Sequence, residues 1–93
     1  MQIINLEHFG VILKTYRRAS KLTQSELSKI SGLSQPQISN IESGADCTIS
    51  TALKIVTRLG LTLDVMDWTG RVPLKKKAIE QLNNETARII SKQ

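Results

Sequence analysis

Ninety-three residues contain one cysteine, two prolines and three aromatic side chains. A lone Cys47 excludes an internal disulfide. With His8 as the only histidine, there is no Cys/His spacing for a metal site and no nucleophile with an oriented base. An enzyme is therefore not expected, nor is a cofactor. No apolar run approaches the ~20 residues that cross a bilayer. The opening MQIINLEHFG also lacks the basic start and small-residue cleavage site of a secretion signal. Cytoplasm, without a membrane partner, is the expectation. Phe9, Tyr16 and Trp68 are the only rings, so a core of Leu, Ile and Val suits packed helices better than a sandwich or barrel. A chain this short buries only about 60–65 % of its unfolded surface, less than a larger domain does, which favours help from a second subunit.

Charge is present but unevenly placed. Residues 1–70 hold seven Lys/Arg against six Asp/Glu, and residues 71–93 hold six against two, so most of the net +5 belongs to the tail. Within the first part, Lys14, Arg17, Arg18 and Lys21 fall close together with no acid among them. Such a cluster is an electrostatic footprint for phosphate, although an ordinary solvated face has the same composition.

Apolar periodicity and capping signals divide the chain. Phe9, Ile12, Leu13 and Tyr16 repeat at helical spacing and predict a first helix from about Leu6 to Arg18. Thr23-Gln-Ser-Glu26 is a capping box that opens a second helix, with Leu27 and Ile30 inward and Gly32 as its stop. Ser34-Gln-Pro-Gln37 repeats that box only two residues later. Pro36 sits in the first turn, where a missing amide hydrogen costs nothing. Ile38 and Ile41 face inward and Gly44 closes this third helix, so helices two and three form a helix-turn-helix. A fourth helix is predicted from Ile49 to Leu59, capped by Thr48, with Ile49, Leu53, Val56 and Leu59 buried. The period then changes to two: Leu61, Leu63 and Val65 alternate with polar or larger residues, predicting a short strand. One strand cannot satisfy its own backbone, so Leu61, Leu63 and Val65 are expected at a homodimer interface. Leu74–Ile90 is weakly amphipathic through Ala78, Leu82, Ile89 and Ile90. The fold class is thus all-α: four to five helices, a short C-terminal strand and a basic tail with helical periodicity. Residues 1–68 are expected to form the helix-turn-helix and dimerisation domain, and 69–93 the tail.

The third helix carries an uncharged polar face. Opposite Ile38 and Ile41 lie Pro36, Ser39, Asn40 and Ser43, with Ser34 and Gln35 at the N-terminal end. Lysines on such a face would hold phosphates without reading bases. Amides and hydroxyls instead match the donor–acceptor pattern of base edges in the major groove. The bland alternative is a polar, solvated helix topping a bundle.

LTQSELSKISGLSQPQISNIESG (22–44) resembles the helix-turn-helix of the Xre/Cro-type phage repressors. TISTALKIVTRLGLTLDVMD (48–67) is similar to the fourth helix and following strand of the HipB-type antitoxins of type II toxin–antitoxin systems. The likeness spans roughly 6–67. It implies that Ser34, Gln35, Pro36, Ser39 and Asn40 face bases, and that Gln24 bonds a phosphate with the helix-two amides beside it. Thr23 and Ser25 flank Gln24, and Arg17, Arg18 and Lys21 supply further phosphate contacts. Glu42 would brace helix three against a basic residue. Pro36 departs from the small or amide residue usual at its place, and can touch a thymine methyl but not hydrogen-bond a base. The strand would pair with its twin across a dimer, reading a palindromic double-stranded operator. The resemblance also implies a protein partner, a HipA-like kinase or related toxin.

The tail is the candidate toxin contact, through Trp68, Leu74 and Leu82, with DNA contacts by Lys75–Lys77 as the competing reading. Trp68 equally suits capping of the strand's apolar face, and Cys47 suits packing. The leading function is an antitoxin that represses its own operon. A stand-alone or phage-type repressor, and an interaction protein that has lost DNA binding, remain open.

Overall fold

A computed structural model describes residues 2–66 and 73–92. Five helices follow in order: α1 (Leu6–Ala19), α2 (Gln24–Ser31), α3 (Gln35–Glu42), α4 (Ile49–Arg58) and α5 (Lys76–Ile90). The helix starts are set locally. Asn5 caps α1 by accepting from the His8 N–H at 2.8 Å. Thr23 and Ser34 both make complete capping boxes, with Glu26 and Gln37 returning to the cap amides at 3.0 and 2.9 Å. Thr48 caps α4 through the Thr51 N–H at 3.1 Å. Each bond satisfies a donor that a helix terminus leaves orphaned.

The first four helices surround one core of Phe9, Leu13, Leu27, Leu33, Ile38, Ile41, Ala52, Ile55 and Val56. α3 packs against both α1 and α2, and α2 also meets α4. Gly10 lets α1 approach the end of α3. A Cβ there would stand 2.6 Å from the carbonyl oxygens of Ile41 and Glu42, closer than any side chain tolerates.

Several expected inward positions shift. Tyr16 and Ile30 are exposed, and Arg17 and Ser31 take the buried places beside them. On α4, Ala52, Ile55 and Val56 are buried, whereas Ile49 is 76 % exposed and Leu53 43 %. α4 packs against α2, and the covered side of α4 is that of Ala52, Ile55 and Val56, with Leu59 partly buried against the core, so only half of the expected stripe turns inward.

The expected strand is also different. Residues 61–66 leave α4 without forming a strand, and no strand pairing occurs among the described residues. A single chain offers this segment no partner. Leu61 donates its N–H to the Val56 carbonyl at 2.9 Å and packs against the core, while Leu63 and Val65 are exposed. The expected interface trio is therefore split. Trp68 lies outside the described residues. α5 is helical as its periodicity predicts, yet buries no residue.

Candidate nucleic-acid interface

α3 stands on a fixed base. Ile38 and Ile41 are 0 % and 3 % exposed, and Gly32, with φ +76°, makes the left-handed turn that leaves only three residues between α2 and α3. From that base the helix presents Ser34, Gln35, Pro36 and Asn40 to solvent, with Ser39 half-buried beside them. Ser34 has two duties, since its hydroxyl oxygen caps the Gln37 N–H at 3.2 Å while its own hydrogen remains free to donate. Gln35, at the first turn of α3, and Asn40, five residues along the same helix, keep exposed amides able to grip an adenine edge. No charged side chain interrupts this face.

The cationic positions behave differently from one another. Arg18 and Lys21 are exposed, as are Thr23 and Ser25 beside them, and Gln24 is half-buried at the first turn of α2. Lys21 holds φ +60°, the left-handed region that a residue with a Cβ enters at roughly 1–2 kcal/mol. It follows the Ser20 cap of α1, where its N–H bonds the Arg18 carbonyl at 2.9 Å and the next amide bonds Arg17 at 3.1 Å.

Arg17 is a correction. Expected among the phosphate contacts, it is 6 % exposed and committed inside the fold. Its Nε donates to Glu42 Oε2 at 2.7 Å, its Nη2 to Glu42 Oε1 at 3.0 Å and its Nη1 to the Leu22 carbonyl at 2.8 Å. Hydrogen bonding to Glu42 raises the guanidinium pKa, burial opposes that rise, and the carboxylate charge adds to it. This fork-to-fork pair is the brace expected of Glu42, and Arg17 is the basic partner that the sequence left unassigned. Removing either partner alone would leave a buried charge, a loss of about 3–5 kcal/mol. Gln24 joins the pair, donating from Nε2 to Glu42 Oε1 at 3.1 Å.

A second surface lies away from α3. Ile3, Ile4, Leu6, Ile49 and Leu63 line an open apolar groove floored by Phe9, Cys47 and Ala52. The Cys47 thiol pKa is pushed up by burial and by the neighbouring Asp46 charge, which suits packing rather than reactivity. Sequence reasoning missed this groove because it placed Ile49 in the core. It also missed Leu33, the buried residue of the turn, and the close approach at Gly10. A glycine inside a helical pattern is the one available signal for such an approach.

A helix-turn-helix family profile matches residues 13–66. The chain belongs to the Xre/Cro-type helix-turn-helix family. Among solved structures, the HipB chain of a HipA–HipB–O2–O3 complex is 31 % identical, with TM-score 0.67, over 74 % of this chain and 99 % of that one. HipB in a complex with an O4 20mer gives the same identity, coverage and TM-score. The restriction-modification controller protein C.AhdI from Aeromonas hydrophila is also 31 % identical, with TM-score 0.59, over 61 % of this chain and 88 % of that one. Comparison with curated protein sequences gives no match. This family member is a DNA-binding transcriptional regulator. No described helix is long and apolar enough to cross a membrane.

Proposed function

We propose that the chain is a homodimeric antitoxin that binds a palindromic operator and represses its own toxin–antitoxin operon from the cytoplasm. The observation that carries the DNA part is the uncharged amide and hydroxyl face of α3, exposed on a helix whose other side is wholly buried. Ser34, Gln35, Pro36, Ser39 and Asn40 read bases, and Arg18, Lys21, Thr23, Gln24 and Ser25 hold phosphates around them. Homodimerisation is supported by the exposed Ile49, Leu53, Leu63 and Val65, an apolar surface for which a second copy is the natural cover. Pairing of 61–66 with its twin would also satisfy the backbone of that segment. The likeness to HipB, which spans nearly all of that chain, supports the toxin partner, a HipA-like kinase or relative. Leu74 and Leu82 of the tail, with Trp68, are its proposed contacts.

The likeness to a restriction-modification controller protein favours a second reading, a regulator with no toxin. Co-expression with the neighbouring open reading frame separates the two. A neighbour that arrests growth alone and is neutralised by this chain supports the antitoxin, and a harmless neighbour sinks it. Sedimentation tests the dimer, with a monomer at micromolar concentration as the contrary result. Selection of duplexes from a random pool tests the operator, which should be palindromic, with half-sites about one helical turn (~34–36 Å) or a multiple apart.

A further inference from the structure

Glu42 does more than tie α1 to α3. It is 9 % exposed and accepts three hydrogen bonds, two from the Arg17 fork and one from Gln24. The Gln24 bond falls on Oε1, the oxygen that also takes Arg17 Nη2. Gln24 is the first residue of α2, where backbone amides are free and the helix dipole favours an anion. A side-chain amide nitrogen carries two hydrogens. Glu42 holds one of them, which fixes the amide plane and leaves the second for a ligand.

We propose that Glu42 is a positioning residue for phosphate binding. It locks the Gln24 amide so that the free N–H meets a DNA phosphate at the start of α2. Arg17 silences the Glu42 charge, so that a bare carboxylate does not repel that phosphate. The buried pair thus conditions the DNA surface without touching DNA. This inference rests on the DNA-binding reading. It assigns Glu42 and Arg17 a part in affinity that their burial hides, and it accounts for a buried acid on the DNA side of a protein that binds an anion. A locked side chain loses less freedom on binding, an advantage of roughly two- to tenfold in affinity.

The test separates positioning from folding. The double variant Arg17→Met/Glu42→Leu removes both charges together, an exchange that buried pairs commonly tolerate. It is compared with wild type, Gln24→Ala and the triple variant. All four are measured for thermal unfolding and for affinity to a duplex selected by the wild type, across a salt series. The expected result is a folded double variant whose affinity drops by roughly two- to tenfold, towards the Gln24→Ala level, with a smaller further loss in the triple variant than Gln24→Ala causes in the wild type. The salt slope should stay at the wild-type value, because neither Gln24 nor the neutralised pair contributes a phosphate-bound cation. Wild-type affinity in the folded double variant, or a Gln24→Ala loss of the same size with and without Glu42, would overturn the proposal. A slope lower by about one would instead put Arg17 on a phosphate. Should the double variant not fold, the Gln24 side-chain amide of the wild type decides by NMR. One proton protected from solvent exchange and the other shifted by duplex support the clamp, and two protons that exchange equally fast with solvent overturn it. A wild type without salt-dependent duplex binding strikes the DNA-binding reading itself, and the clamp with it.

Discussion

α1 and α5 are nearly equal in length, 14 and 15 residues, and both are amphipathic, yet they have opposite fates. α1 buries Phe9, Gly10, Leu13 and Arg17, and its start is capped by the Asn5 side chain. α5 buries nothing, and Lys75 at its N-cap makes no side-chain capping bond. Its stripe of Ile79, Leu82, Ile89 and Ile90 is exposed throughout, and its one ion pair among the described residues, Arg88 to Glu85 at 2.8 Å, lies within its own last turns. Fully burying a large apolar side chain contributes roughly 1.5–3 kcal/mol, whereas an exposed ion pair contributes about 0–1. An isolated helix of this length is marginal in water, so most of a helix's stability comes from what it packs on. Helical periodicity therefore shows that a segment has an apolar face, not that the chain contains its cover. The uncovered face of α5 is why a partner protein is the better reading of the tail.

The largest effects should break at this divide. Ile38→Ala, below the reading face of α3, should lower unfolding free energy by about 2–5 kcal/mol in denaturant titration. Leu82→Ala on α5 should change it by less than about 0.5 kcal/mol. A comparable loss at Leu82 would show that α5 packs on the body after all.

Next comes the operator. Gln35→Ala should lose about 1–3 kcal/mol of affinity for the preferred site and relax discrimination at one base pair per half-site, with unfolding unchanged. Deleting 73–93 should leave operator affinity nearly intact and abolish toxin neutralisation. If the deletion, rather than Gln35→Ala, weakens operator binding, the tail and not α3 dominates the DNA contact.

Lys21→Gly should move two observables in opposite directions. Relief of the left-handed backbone should raise stability by up to about 1 kcal/mol in thermal unfolding. Affinity for all duplexes should fall, and the salt slope should drop by about one. Loss of stability with unchanged DNA binding would mean that Lys21 serves the turn alone.

The smallest effect concerns acid. The Thr23 backbone N–H and hydroxyl hold the Glu26 carboxyl below its ordinary pKa. A depressed folded pKa gives stability that is present above the unfolded value and lost as pH falls through the folded one. Glu26→Gln should therefore flatten a slight acid-side decline in melting temperature, below the usual carboxylate range. A melting curve with an identical acid limb in both proteins would remove the capping box from the pH response.

Much of this molecule was legible in advance, and the legible parts share one property. Thr23, Ser34 and Thr48 cap the helices they precede because each bond closes over three residues, within reach of local sequence alone. Gly32 turns the chain for the same local reason, and the uncharged face of α3 follows from periodicity once Ile38 and Ile41 are inside. The sequence by itself thus determined where four helices begin, the helix-turn-helix and the chemistry of its reading face. Tertiary structure decided what lay between distant residues. Arg17 is a phosphate candidate by composition and a buried brace by geometry, because Glu42, 25 positions away, folds onto it. Ile49 and Leu53 look like core and are surface, because the fold covers the adjoining Ala52–Ile55–Val56 side of α4 instead. Capping depends on neighbours along the chain, but burial depends on which face the rest of the fold happens to cover, and no local pattern contains that.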